Sequence, residues 1–120
     1  MLGPMQTQWV AALRSKEYPQ GRYKMISSEC GIEKFCCLGV AARCFGLQCD
    51  AFYLTNKSWE TLGLKDNDGA FIFPEEMLQS TRMAITLYES LAEMNDKGKS
   101  FNEIADFIEA HPELVFTEEV

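Results

Sequence analysis

At 120 residues and 13.6 kDa the chain has the length of one compact domain, and 47% hydrophobic with 12% aromatic residues supply one apolar core. That composition excludes a disordered chain and a collagen-like or Pro/Gly-rich one, and the length argues against a two-domain enzyme. A formal net charge of −7 gives no reason to expect direct binding of double-stranded nucleic acid, whose phosphates are met by Lys and Arg.

The first residues lack the basic-then-apolar layout of a secretory signal. Met5 is as good a start as Met1, so residues 1–4 are read as non-native or disordered. Residues 6–17 place Trp9, Val10 and Leu13 on one face and Gln8, Arg14 and Lys16 elsewhere. This spacing predicts an amphipathic first helix, ended by Pro19 and Gly21. Arg22 to Ser27 then alternate in the manner of a short strand, with a turn over Ser27 to Gly31. From Phe35 to Phe45 the run is apolar almost all round, with Arg43 its one charge, which predicts a buried helix stopped by Gly46. Gly39 costs that helix about 1 kcal/mol of propensity, and close packing of a neighbour is the expected compensation.

Residues 50–54 read as a short strand, Ser58 as the cap of a single turn through residue 64, residues 65–69 as a turn, and Phe71, Ile72 and Phe73 as an apolar triplet. Pro74 opens a helix, because proline is tolerated at the first helical position. Residues 81–96 carry Met83, Leu87, Leu91 and Met94 at helical spacing, widened by Ala84 and Tyr88, which predicts an amphipathic core helix with a turn at Asn95, Asp96 and Gly98. Ser100 and Glu103 form an S-x-x-E capping box for a last helix whose apolar face is Phe101, Ile104, Ala105, Phe107 and Ile108. Pro112 closes that helix, and Leu114, Val115 and Phe116 read as a short strand. The expected fold is α+β: a mostly helical single domain, residues 1–120, with a central buried helix and a few short strands.

Five cysteines are present, Cys30, Cys36, Cys37, Cys44 and Cys49, an odd number without the paired C-x(2-4)-C spacing of structural zinc. They are expected to be reduced, metal-free and, for Cys36 and Cys37, buried as small hydrophobes. The single histidine, His111, is far away in sequence from Cys36 and Cys37, so a Cys-His nucleophilic pair has no local support. Adjacent acids at Asp66/Asp68, Glu75/Glu76 and Glu118/Glu119 are read as solvated, and no P-loop or G-x-G-x-x-G is present. No catalytic residue, cofactor or metal is assigned. No apolar stretch approaches the roughly 20 residues of a membrane-spanning helix, so a soluble, cytoplasmic protein with no membrane partner is expected.

Charge is unevenly spread. Residues 1–49 hold six bases against three acids, whereas residues 100–120 hold six acids and no base. One basic stretch alternates with aromatics: Arg14, Lys16, Tyr18, Arg22, Tyr23 and Lys24. Four cations and two tyrosine faces suit a base-plus-phosphate ligand, through stacking and charge-assisted hydrogen bonds. A helix C-terminus also favours cations through its dipole, which would place Arg14 and Lys16 there without a ligand.

Four pieces carry a resemblance: W-V-A-A-L-R-S-K-E-Y-x-Q (9–20), F-C-C-L-G-V (35–40), W-x-x-L-G-L (59–64) and L-A-E-M-N-D-K-G-K-S-F-N-E-I-A-D-F-I-E (91–109). In that combination the chain resembles a family of small phage and prophage proteins with a tryptophan-containing first helix, an F-C-C-L-G-V core and an N-D-x-G-x-S-F-x-E-I-A-D end. It departs from them at Cys44, Phe45 and residues 65–82. The resemblance implies a phage genome and action in the host cytoplasm, with no mechanism attached. The expected function is that of a non-catalytic accessory binder that counters a host defence system, either by docking on a host defence protein or by sequestering a small anionic nucleotide signal. The alternative is a small enzyme acting on a nucleotide or a thiol-linked substrate, and a homo-oligomer is left open.

Overall fold

In a computed structural model, residues 2–22, 26–47 and 74–120 are described. Helix α1 (Pro4–Arg14) starts two residues earlier than its apolar spacing suggests, because Pro4 takes the first helical position and Gln6 completes a cap, its Oε1 accepting from the Gly3 N–H at 2.9 Å. Gly3 and Pro4, read as non-native or disordered, stand here as the cap and first residue of α1. Gln6, Trp9, Val10 and Leu13 form the buried face, one stripe of a 3.6-residue period. The helix also ends earlier than expected. Ser15 Oγ donates to the Ala12 carbonyl at 2.7 Å, and Lys16 takes a positive φ of 66°, which turns the chain out of the helix.

Of the strand expected over residues 22–27 only Ile26 and Ser27 fall in one, the first strand of a hairpin; residues 23–25 lie outside the described residues. Strand β1 (Ile26–Glu29) pairs antiparallel with β2 (Ile32–Phe35), with Ile26 opposite Phe35 and Glu29 opposite Ile32. Cys30 and Gly31 form the turn at φ 52° and 80°, and two consecutive positive φ values are what a tight two-residue hairpin loop requires. The turn is thus shorter than Ser27 to Gly31, and β2 takes Phe35 from the start of the expected helix over Phe35–Phe45. Gly21 N–H donates to the Phe35 carbonyl at 2.6 Å and Phe35 N–H to the Pro19 carbonyl at 2.8 Å, so residues 19–21 lie along β2 as a third, parallel rail.

Helix α2 (Cys37–Cys44) is the central element, with Cys37, Leu38, Gly39, Val40, Ala41 and Ala42 all buried. At its N-terminus Cys36 does the work usually given to serine, its sulfur accepting from the Gly39 N–H at 3.4 Å. At its C-terminus Gly46, φ 72°, allows a Schellman closure: Leu47 N–H reaches the Ala42 carbonyl at 2.9 Å and Gly46 N–H the Arg43 carbonyl at 3.2 Å. Trp9 of α1 donates its indole N–H to the Cys37 carbonyl at 3.0 Å, which fixes α1 against α2.

Helix α3 (Pro74–Thr81) does open at Pro74. The next helix, α4 (Ile85–Asp96), starts later than residue 81, because Arg82 has φ 62° and Met83 forms an isolated antiparallel bridge with Phe116. Its buried stripe is Tyr88, Leu91, Ala92 and Asn95, so Leu87 and Met94 lie at the edge of the core. Asn95 is inside the helix rather than in the turn, which falls at Lys97 and Gly98 and closes as a second Schellman motif through Lys99 N–H to the Met94 carbonyl at 3.0 Å. Helix α5 (Phe101–Ala110) begins at the capping box: Glu103 N–H donates to Ser100 Oγ at 3.2 Å, and Ser100 N–H to Glu103 Oε1 at 2.9 Å. Pro112 both ends α5 and begins the short α6 (Pro112–Val115), so of the expected C-terminal strand only Phe116 pairs.

The core joins α1, α2, α4 and α5 around Trp9, Leu38, Leu91 and Ile104, with Trp9 edge-on to Phe116 at 6.0 Å. The architecture is α+β, mostly helical, with α2 as its buried centre. Among the described residues no helix is long and apolar enough to cross a membrane. The elements expected at 50–54, 58–64, 65–69 and 71–73 lie outside the described residues.

Candidate functional site

The basic cluster that is contiguous in sequence is divided in space. Arg14, in the last turn of α1, is held by two carboxylates of α5: Asp106 at 2.7 Å and Glu109. Its guanidinium is raised above its ordinary pKa chiefly by the hydrogen bond to Asp106, then by that to Glu109. Arg22 lies by the turn that precedes the same helix, with its Nη2 only 3.1 Å from where a Cβ on Gly98 would stand. At 1.5 Å per residue, about 8–12 Å of α5 lies between Phe101, where the helix begins, and the two carboxylates that hold Arg14. Lys16 is exposed. Tyr18 is half-buried, its ring edge-on to Phe35 at 5.0 Å, and burial followed by the neighbouring Cys44 raises its phenol pKa. Tyr23 and Lys24 lie outside the described residues. The structure therefore does not bring Arg14 and Arg22 to one anion.

Beside Gln20 and Gly21, within that stretch of sequence, is a buried amide, Asn95. Its Oδ1 accepts from Gln20 Nε2 at 3.0 Å and from the Cys37 N–H at 3.1 Å, and its Nδ2 donates to the Gly21 carbonyl at 2.8 Å. Gln20 Nε2 also donates to the Lys99 carbonyl at 2.7 Å. One side chain of α4 thus ties the rail beside β2 to the first turn of α2. Gln6 acts likewise at the opposite end, its Nε2 donating to the Glu118 carbonyl at 2.7 Å and the Thr81 carbonyl at 3.2 Å. Both amides satisfy their buried polar atoms within the protein, so their role is structural.

Among the described residues the thiols form no nucleophilic site; Cys49 lies outside them. Cys37 is fully buried, its Sγ donating to the Leu91 carbonyl at 3.5 Å, and burial holds its pKa well above the ordinary thiol value. Cys44 is half-buried and raised by the same cause, and Cys30 is exposed at the hairpin tip. His111 stands at the junction of α5 and α6 with its ring against Phe107 at 4.9 Å. Among the described residues no group of three or more His, Cys, Asp or Glu side chains could hold a metal ion.

What the fold does assemble is an acidic half. Residues 74–120 hold eleven acids against three bases, Arg82, Lys97 and Lys99. Each of those bases already faces a carboxylate: Glu118 at 3.8 Å, Glu93 at 2.6 Å and Glu103 at 3.9 Å. Exposed Glu75, Glu76, Glu89, Glu113 and Glu119 have no ion pair among the described residues. Two large apolar side chains stand in this half, Ile85 and Leu114, each 55% exposed. The sequence carried a signal for Ile85, which falls off the Met83–Leu87–Leu91 stripe; Leu114 was hidden by its assignment to a strand.

A family model described as a domain of unknown function, DUF8296, matches residues 1–80, two thirds of the chain. The chain belongs to that family. The DUF8296 match takes in α1, the hairpin, α2 and nearly all of α3; α4, α5 and α6, which carry most of the carboxylates, follow it. Neither the comparison with curated proteins nor that with solved structures gives a match.

Proposed function

We propose that this DUF8296 chain is a phage or prophage accessory protein that binds without catalysis, and that it counters a host defence system by docking on a host protein. The observation that carries this reading is the acidic half: every base of residues 74–120 is already matched by a carboxylate, and Arg14 is drawn into the same surface by Asp106 and Glu109. A surface of that sign repels a small nucleotide and attracts a basic protein, and it steers encounter over a Debye length of about 8 Å at physiological salt. Docking is therefore favoured over sequestering an anionic signal. The phage setting rests on the resemblance of residues 9–20, 35–40, 59–64 and 91–109.

The test is a panel of bacterial strains, each carrying one defence system, challenged with a phage that the system blocks. Expression of the chain is expected to restore plaquing against one system, and a purified component of that system is expected to form a complex with it. Relief accompanied by loss of a nucleotide signal, with no protein complex, would replace docking by sequestration. Relief against none of the systems would remove the defence reading.

A further inference from the structure

We propose that the docking surface centres on Ile85 and Leu114 and that it receives a basic amphipathic helix of the partner. This rests on the docking reading above and names where it acts and what it fits. Met83 and Phe116 form an antiparallel bridge, and Ala84 N–H donates to the Val115 carbonyl at 2.8 Å, so Ile85 and Leu114, next along each segment, stand on adjoining backbone. Both side chains are more than half exposed, whereas the other large aliphatics among the described residues, apart from Ile32 in β2, are buried or half-buried.

The border of the pair is negative. Glu89 is four residues beyond Ile85 and so on the same face of α4, and Glu113 precedes Leu114 in α6. Both are exposed and neither has an ion pair among the described residues. The nearest base along either segment, Arg82, faces Glu118 at 3.8 Å. An apolar centre with a carboxylate rim complements apolar side chains flanked by Lys or Arg.

The backbone decides between a helix and a strand as the occupant. The N–H groups of Ala84, Leu87, Tyr88, Leu114, Val115, Phe116 and Thr117 are all bonded within the fold, to carbonyls 2.6–3.1 Å away. The donors left over, in the first turns of α4 and α6, point along helix axes and not in the alternating row that a strand pairs with, so recognition has to run through side chains, as it does for a helix laid on an apolar patch.

The probe is a 16-residue helical peptide with leucine along one face and lysine on both borders, added to the isotope-labelled full chain at 50 mM salt while amide shifts are followed. The largest shifts are expected at residues 83–89 and 112–117. A peptide of identical composition, scrambled so that its leucines do not share a face, is expected to bind at least tenfold more weakly. Leu114→Ser and Ile85→Ser, whose thermal melts report folding, are each expected to weaken the amphipathic peptide at least fivefold. Equal binding of the two peptides, shifts centred on Arg14 to Arg22, or a concentration-dependent dimer lost in Leu114→Ser would each overturn the assignment. Plaquing restored without peptide binding overturns this surface and leaves the docking reading standing. Peptide binding here with no relief of any defence system does the reverse.

Discussion

Asn95 shows how much of this fold rests on single polar side chains. Its amide serves the Cys37 N–H, Gln20 and the Gly21 carbonyl at once, from a fully buried position. Asn95→Ala leaves buried donors and acceptors without partners, at about 1–3 kcal/mol for each group, so a loss of about 2–4 kcal/mol is expected in chemical unfolding. A loss under about 1 kcal/mol would mean that the network is not holding the rail beside β2. The thiols offer a second test at this scale. Cys30 is exposed, whereas Cys36 and Cys37 are buried and Cys37 is held as a thiol by desolvation. In a timed reaction with a chromogenic disulfide, Cys30 is expected to react promptly and Cys36 and Cys37 only after denaturation. Prompt labelling of Cys37 in the folded protein would contradict its place in the core.

The elements that could be read from sequence were those whose signal is local. The S-x-x-E box before α5 and the all-round apolar α2 specify themselves within a few residues: the box stands where it is expected, and α2 lies within the expected span, its first two residues going to β2 and to the cap. Elements set by distant partners were misplaced. Residues 81–84 look helical by apolar spacing, yet Arg82 adopts a positive φ because Met83 is claimed by Phe116 from the far end of the chain. The stripe of α4 is turned toward Asn95 because a polar residue with three bonded partners is as compatible with the core as leucine, and hydrophobic periodicity counts only the latter. Strand β2 is not legible because the turn at Cys30-Gly31 lacks the asparagine or aspartate that marks a two-residue hairpin, and because Phe35 also continues the apolar run of α2. The basic stretch is split for a related reason: Arg14 and Arg22 are close in sequence, but Arg14 pairs with Asp106 and Glu109 of α5, whereas Arg22 lies beside Gly98, before that helix begins.

The capping box also gives α5 a pH dependence of defined sign. The Ser100 N–H, and then its side chain, hold the Glu103 carboxyl below the ordinary carboxylate range. A group depressed in the folded state contributes stability that is present above the unfolded pKa of about 4.3 and is lost as pH falls through the lower folded value. Glu103→Ala is therefore expected to melt below the wild type at pH 7, with the gap closing as the pH falls below about 4. Ser100→Ala removes the cap itself and is expected to cost about 0.5–2 kcal/mol at neutral pH. A gap for Glu103→Ala that is constant with pH would mean that its carboxylate does not serve as the cap.

At the scale of the whole molecule, the sequence has a basic N-terminal part and an acidic C-terminal part, and the fold pairs one with the other at Arg14 while leaving the carboxylate excess outward on α3 to α6. That excess is the basis for reading the chain as a docking protein, and it makes the strength of the complex depend on ionic strength. The most direct measurement is the Kd of the complex between the purified chain and the defence component it relieves, taken at 50 and 300 mM NaCl. The acidic-face account predicts a defined complex that weakens at least fivefold between the two salts and weakens further on Glu89→Lys, Glu113→Lys double substitution. A Kd indifferent to salt and to that substitution would contradict it.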